Sequence, residues 1–213
     1  MNLGSGTAVQ ILLLLAGLSL VPALLFTVTG FTRILIVLGF IRSGIGTPSA
    51  PPNQVLVGIA FFLTLFVMTP TIKQIKHDAY DPLHRGAITQ TVALKRAQEP
   101  LREFMFKQTR TKDLALFVRL SGKKEQPKTR ADIPTYVLIP AFVISELKTA
   151  FQIGFLVFLP FLLIDLIVSS TLMSMGMVML PPVFISLPFK ILLFVLVDGW
   201  NLVTQSLVQS FHV

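Results

Sequence analysis

The chain has 213 residues, of which 53% are hydrophobic, with no cysteine and a formal net charge of +8. Without cysteine the sequence excludes disulfides, thiolate metal sites and thiol catalysis. A positive charge can indicate a nucleic-acid partner. Here the basic residues are mixed with acidic ones and form no continuous stripe, which favours a solvated, moderately basic segment and no nucleic acid.

Charge is concentrated in the middle of the chain. Of the 28 charged residues, 21 lie within residues 73–132, whereas residues 1–72 carry two and residues 133–213 carry five. The two outer blocks lack the polar face that a helix needs in a water-soluble fold. Each is long enough for about two membrane-spanning helices of roughly 20 residues. We therefore predict an integral membrane protein with an N-terminal hydrophobic hairpin (1–72), a polar helical insert (73–132) and a C-terminal hydrophobic hairpin (133–213).

The first hydrophobic stretch runs from Ala8 to Ile41. A secretory signal begins with a basic segment, and no Lys or Arg precedes Ala8. We interpret this start as a membrane segment, or as the mature end of a chain that once carried a signal.

A proline-rich connection separates this stretch from the next one, Gln54 to Ile72. Proline cannot continue a helix, and it pushes the preceding residue towards an extended conformation. We predict a rigid turn that makes the two stretches a hairpin. Its residues are Pro48, Pro51, Pro52 and Asn53.

The polar insert has the spacing of short amphipathic helices. Two apolar triplets fall at i, i+3 and i+4: Leu101, Phe104 and Met105, and then Leu114, Phe117 and Val118. We predict that Pro100 occupies the first position of one helix, with a shorter helix upstream, and that Gly122 lies just past the end of the other.

Charged residues and prolines interrupt the hydrophobic stretches. The charged residues considered are Arg33, Glu146, Lys148, Asp165, Lys190 and Asp198. A charge that faces lipid costs a few kcal/mol or more, so we expect these side chains to be buried against partners, within a chain or between copies, and to serve assembly. Prolines at positions 22, 70, 140, 160 and 188 are expected to kink or break the helices. Broken helices at membrane depth need protein around them, so we predict an oligomer.

No enzyme motif is present in the sequence. The histidines are scattered, and there is neither an HExxH motif nor a phosphate-binding loop. Asp165 and Asp198 are the only aspartates in hydrophobic stretches, and nothing indicates that they converge as in an aspartyl protease. We predict no catalytic residue, no metal and no cofactor.

Four methionines alternate with other residues near the end of the third hydrophobic stretch: Met173, Met175, Met177 and Met179. A spacing of two aligns side chains on one side of an extended segment. Methionine commonly fills irregular gaps between helices, and on spacing alone we favour that interpretation. The other interpretation is a flexible loop whose thioethers close around varied polypeptides.

Four segments resemble the FliP family of flagellar type III secretion export-gate proteins, and they cover most of the chain. They are GFTRILIVLGFIRSGIGTPSAPPNQVLVGIAFFLTLFVMTP, PLREFMFKQTR, IPAFVISELKTAFQIGFLVFLPFLLIDLIV and LPPVFISLPFKILLFVLVDGWNLV. The parts APPNQVLVG and FKILLFVLVDGWNLV are more similar to the flagellar branch than to the virulence branch.

The resemblance implies an all-α fold of kinked hydrophobic hairpins that assembles into a ring. It implies a homo-oligomer, a pentamer, together with FliQ and FliR, further export components such as FlhB and FlhA, and membrane lipid. Such a ring passes unfolded flagellar substrates through the bacterial inner membrane at the flagellar basal body. The resemblance also implies that the family's methionine-rich constriction, a pore gasket, is formed in this chain by four residues: Met173, Met175, Met177 and Met179.

Two points remain open beside the resemblance. The family's insert faces the periplasm, whereas the rule for basic loops points to the cytoplasm, and we follow the resemblance. From the residues alone, the alternative function is a subunit of a small-molecule or ion transporter, because broken helices with intramembrane charge also occur there.

Overall fold

The computed structural model describes residues 12, 15, 19, 22–47, 49–122, 127, 129–177 and 179–211. Over these residues the regular secondary structure is helical, and no strand is present. The predicted all-α fold is confirmed.

The helices follow one another in chain order. They are α1 (Pro22–Val28), α2 (Phe31–Ile45), α3 (Asn53–Ile75), α4 (Asp81–His84), α5 (Gln90–Gln108), α6 (Thr111–Leu120), α7 (Thr135–Ser174), α8 (Pro182–Leu196) and α9 (Gly199–Gln209). A π-helical turn, Lys76–Tyr80, joins α3 to α4, and a 3-10 turn, Arg130–Asp132, precedes α7.

Two of the described helices are long and apolar enough to cross a membrane: Asn53–His84, with 32 residues, and α7, with 40. Two further pairs qualify if each pair counts as one bent span. These are α1 with α2, bent by 83°, and α8 with α9, bent by 65°. The expectation of about two crossings in each outer block agrees with this upper count of four.

The core is built around α2. Its buried side chains recur every three or four residues: Phe31, Ile34, Leu38, Ile41 and Ile45. This spacing places them on one face of the helix, which packs against α7 and α3. The helix ends at Gly46, whose φ of 87° lies in the left-handed region that glycine adopts without penalty.

The predicted hairpin between α2 and α3 is present. A guanidinium N–H of Arg42 donates to Asn53 Oδ1 at 2.5 Å and another contact reaches the Pro51 carbonyl at 3.4 Å. Pro52 immediately precedes α3. The fourth predicted turn residue, Pro48, lies outside the described residues.

Of the predicted alternatives, a kink or a break, no break occurs at the four prolines that lie inside helices. Kinks at these positions stay a prediction. Pro70 lies within α3, Pro140 and Pro160 lie within α7, and Pro188 lies within α8. A proline removes only its own N–H bond, and neighbouring packing can sustain the rest of the helix. The described chain bends instead before Gly30 and at Asp198, which has a φ of 50°.

In the insert, Pro100 lies in the middle of α5 rather than at a first helical position. The helix begins after Thr89, whose hydroxyl accepts a hydrogen bond from the Val92 N–H at 3.5 Å. The two helices predicted here are therefore one. Gly122 follows the end of α6 with a φ of 67°, as predicted.

The division into three parts follows polarity more closely than packing. The helix that starts at Asn53 crosses residue 72 and continues to His84. Phe104 and Met105 of the insert belong to the same buried cluster as Ile34 of α2 and Phe142 of α7. The insert is thus attached to the hydrophobic helices through a shared core.

Candidate functional site

Arg33 and Glu146 form a buried ion pair between α2 and α7, with side chains 2% and 1% exposed. Arg33 Nε donates to Glu146 Oε2 at 3.0 Å, and Nη2 contacts Oε1. Nη1 donates to the Ser210 carbonyl at 2.8 Å, and Nη2 to Gln108 Oε1 at 3.3 Å. The Phe211 ring centroid lies 4.0 Å from the guanidinium carbon. One arginine therefore joins α2, α5, α7 and the residues after α9.

A second polar cluster joins α7 to α8. Lys190 Nζ donates to Asp165 Oδ2 at 2.6 Å, and the Ser186 hydroxyl donates to Asp165 Oδ1 at 2.5 Å. The Lys190 side chain is buried, and a Cβ atom added at Gly46 would lie 3.8 Å from its Nζ. The ammonium group thus lies close to the C-terminal end of α2, where the helix dipole favours a cation.

A third polar cluster fixes α6 to α7, and the sequence analysis missed it. The Ser145 hydroxyl donates to Asp113 Oδ2 at 2.7 Å, and Arg110 Nε donates to the same oxygen at 2.8 Å. Ser145 is fully buried, and Asp113 is nearly so. The sequence feature that could have indicated this cluster is the i, i+3 spacing of Arg110 and Asp113 at the start of a helix.

The other two predicted charges, Lys148 and Asp198, are exposed. Among the described residues neither forms an ion pair, and the Asp198 carboxylate accepts a hydrogen bond from Asn201 Nδ2 at 3.1 Å. The structure therefore does not bury them within one chain. Burial of these two side chains between copies stays a prediction.

The methionine segment is not extended over the described residues. Met173 lies in the last turn of α7, and Gly176 follows with a φ of 76°. The Gly176 N–H donates to the Met173 carbonyl at 3.0 Å, and the Met177 N–H to the Leu172 carbonyl at 3.0 Å. These two bonds define a Schellman end, with glycine in the left-handed position.

The four methionine side chains, here called the methionine turn, point outward from the chain. Their exposed fractions are 68% for Met173, 68% for Met175, 40% for Met177 and 98% for Met179. They therefore fill no gap in the core of the single chain, contrary to the interpretation favoured on spacing. The turn that joins α7 to α8 presents four thioethers at one end of the hairpin.

The outer face of α7 is also apolar and exposed. The exposed apolar residues recur at helical spacing, and Lys148 is the one charged residue among them: Ile144, Lys148, Phe151, Phe155, Leu159, Leu162 and Leu166. Exposed apolar surfaces of this extent mark contacts with protein or with lipid. The described residues contain no group of three or more acidic, histidine or cysteine side chains that could hold a metal ion.

These features define a class: all-helical membrane-type proteins whose internal charges are paired and whose apolar faces remain exposed. The FliP family model matches residues 14–207. Flagellar biosynthetic protein FliP of Bacillus subtilis (strain 168) is 57% identical over 205 residues, which are 96% of this chain and 92% of the relative. The protein of the same name from Pectobacterium carotovorum subsp. carotovorum is also 57% identical, over 96% of this chain and 79% of the relative.

A third relative, flagellar biosynthetic protein FliP of Caulobacter vibrioides, is 51% identical over 99% of this chain and 81% of its own length. The chain belongs to the FliP family. It is a flagellar biosynthesis and export protein with candidate transmembrane helices. The resemblance in the sequence analysis is confirmed.

Proposed function

We propose that the chain is a pore-forming subunit of the flagellar type III protein export gate and passes unfolded flagellar substrates across the bacterial inner membrane. Several copies, five by family resemblance, form a ring with FliQ and FliR at the basal body. FlhB and FlhA lie nearby, and much of the assembly is on the periplasmic side. Family membership favours this function over a small-molecule or ion transporter.

The observation that carries this proposal is the exposure of the methionine turn at the end of the α7–α8 hairpin. Thioether side chains are apolar, deformable and uncharged, so they adapt to many partners. The Schellman end satisfies the last carbonyl groups of α7 within the turn itself. These hydrogen bonds hold the backbone as far as Met177, while the exposed methionine side chains are available to close on a passing chain.

The length of α7 supports an assembly around it. A helix of 40 residues is about 60 Å long, roughly twice the thickness of the hydrocarbon core of a bilayer. Its outer face is apolar over residues 144–166. Lipid covers only part of such a helix when it stands upright, and protein neighbours can cover the rest.

A conductance measurement tests the role of the methionine turn. We expect replacement of Met173, Met175, Met177 and Met179 by alanine to raise ion leakage through the inner membrane of cells that express the complex. The smaller side chains leave the constriction open when no substrate is present. A matched variant with leucine at all four positions keeps the apolar volume and is expected to remain tight.

Complex yield on a native gel is the control for both variants. If the alanine variant assembles at normal yield and its leakage equals that of the wild type, the methionine turn does not form the constriction.

A further inference from the structure

The charges of the C-terminal hydrophobic part leave one cation and one anion unpaired. Within the described residues 133–177 and 179–211, Glu146 is paired with Arg33, and Asp165 is paired with Lys190. The remaining two charges are Lys148 and Asp198, both exposed and neither in an ion pair with a described residue. The described residues of this C-terminal part thus present one unmatched charge of each sign.

Both side chains stand on apolar surfaces. Lys148 lies on the outer face of α7 between Ile144, which is 41% exposed, and Phe151, which is 55% exposed. Asp198 lies between Leu196 and Trp200, which are also exposed. A charge in such surroundings is costly once lipid or protein covers the surface, unless an opposite charge comes with it.

The two charges are too far apart to pair within one chain. Val197 and Gly199, on either side of Asp198, line the same apolar cavity of about 310 Å³ as Val157 of α7. Lys148 precedes Val157 by nine residues, which corresponds to about 14 Å along a helix. No described residue of the same chain pairs with either charge, which leaves both available to a neighbouring chain.

We propose that Lys148 of one copy forms an ion pair with Asp198 of the adjacent copy in the ring. The inference rests on the proposed function, which supplies the adjacent copy. The two charges occupy different surfaces, so the contact is head-to-tail. Contacts of this kind form a ring when the rotation between copies closes and a helical array when it does not. One cation and one anion per chain then satisfy every contact, whatever the number of copies.

The pair also constrains how adjacent copies are placed. Measured along the axis of α7, Asp198 lies roughly 14 Å from Lys148 of the same chain. Two copies must therefore be shifted by about this distance along α7 for the two side chains to meet. Neighbouring copies therefore contact one another obliquely, with the outer face of α7 in one copy against the α8–α9 bend of the next.

Charge reversal tests the pair. We expect Lys148→Glu or Asp198→Lys alone to lower the yield of assembled complex about tenfold or more, because like charges then meet at every contact. Both substitutions in one chain are expected to restore the yield. Lys112→Glu, at an exposed lysine of the insert, is the matched control and is expected to leave it unchanged.

Co-expression separates a contact between copies from a contact within a chain. When chains with Lys148→Glu and chains with Asp198→Lys are made together, every mixed contact joins opposite charges. In a ring of five copies at least one contact still joins two chains of the same kind. We therefore expect mixed complexes at a yield above that of either chain alone and below that of the double variant. If the double variant restores the yield of complex and the mixture does not raise it at all, the pair forms within one chain and the inference is overturned.

Cross-linking gives a readout that does not depend on a loss of yield. The chain has no cysteine. When one tagged copy carries Lys148→Cys and a differently tagged copy carries Asp198→Cys, each copy therefore has a single thiol. A short bis-maleimide is expected to join the two tags on a denaturing gel. Leu94→Cys, at an exposed position of the insert, replaces Lys148→Cys in the control and is expected to give no product.

The outcomes separate this pair from the ring itself. If the wild-type chain forms a ring but the charge reversals are harmless and no cross-link forms, the pair is wrong and the ring stands. If Lys148→Glu is harmful but Asp198→Lys does not rescue it, the lysine binds another group, such as a lipid phosphate, and the pair is wrong. If the wild-type chain is monomeric in mild detergent, the proposed function fails and the pair fails with it.

Discussion

Arg33 illustrates how a single charged residue can lie inside an apolar helix. Its guanidinium donates to the Glu146 carboxylate, the Ser210 carbonyl and the Gln108 amide, and the Phe211 ring covers one face. Removing one member of such a pair leaves the other charge buried without compensation. Replacing both by apolar side chains avoids that cost.

We expect Arg33→Met to lower the free energy of unfolding by about 3–5 kcal/mol, because the Glu146 carboxylate loses its partner. The double variant Arg33→Met with Glu146→Leu is expected to lose less than the single variant. Thermal unfolding of the complex in mild detergent measures both. Arg96→Met, at an exposed position of α5, is the control, with an expected change within about 0.5 kcal/mol. A single variant as stable as this control contradicts the role given to the pair.

The cost of burying charge made part of this site predictable from sequence. From that cost we predicted that Arg33, Glu146, Asp165 and Lys190 need partners. The cost does not determine which carboxylate pairs with which cation. That choice depends on helix crossings that no spacing specifies. Gln108 and Asp113 were missed because a polar residue near a loop is ordinarily solvated, and only the packing of α5 and α6 on α7 buries these two.

At the scale of elements, the crossing of α2 and α7 depends on small residues. A Cβ atom added at Gly154 would lie 2.6 Å from Phe40 Cγ and 3.1 Å from Phe40 Cβ. A Cβ atom at Gly44 would lie 2.7 Å from Phe161 Cδ2. Each helix therefore inserts a phenylalanine over a glycine of the other, and the backbones approach closely at both positions.

We expect Gly154→Ala to destabilise the α2–α7 crossing by about 1–3 kcal/mol, because the added methyl group overlaps the part of Phe40 nearest its backbone. Thermal unfolding in detergent or resistance to a protease measures the effect. Gly39→Ala, on the same helix as Phe40, meets nothing within 4 Å and is the matched control. Equal stability of the two variants argues against a close crossing at Gly154.

The helix ends show where sequence reasoning works and where it fails. The predicted glycine stop after α6 was correct, and α2 and α7 also end next to a glycine in the left-handed region, which costs glycine nothing. Prolines inside the hydrophobic stretches did not mark helix ends, because Pro140 and Pro160 lie in a helix that continues past both. In an apolar setting the remaining backbone groups have no water to bond to, so the helix persists. The bend at Asp198 had no signal beyond the tolerance of aspartate for left-handed geometry.

At the scale of the whole molecule, the single chain leaves much of its apolar surface uncovered. Exposed phenylalanines occur on α3, α7 and α8, and they include Phe62, Phe155 and Phe184. The polar insert, by contrast, has an ordinary mixed surface and a cleft lined by charged side chains such as Lys95 and Glu99. The molecule thus has one part suited to water and two parts suited to lipid or protein.

Single cysteines test on which side of the membrane the insert lies. We expect Leu94→Cys, on exposed α5, to react with a membrane-impermeant maleimide once the outer membrane is permeabilised, because the proposal places the insert in the periplasm. Leu156→Cys, on apolar α7, is the control and is expected to remain unlabelled. Labelling of Leu94→Cys only after the inner membrane is lysed contradicts the periplasmic placement.

The helical run from Asn53 to His84, which includes the π-helical turn at Lys76–Tyr80, links the hydrophobic helices to the polar insert. Its 32 residues form a rod about 48 Å long, whose first half is apolar and whose far end carries Lys73, Lys76 and their neighbours. A tilt of about 10° at the apolar end displaces the far end by about 8 Å. Any force that tilts the apolar end of this rod therefore also moves the charged surface at its other end, with the rod acting as a lever.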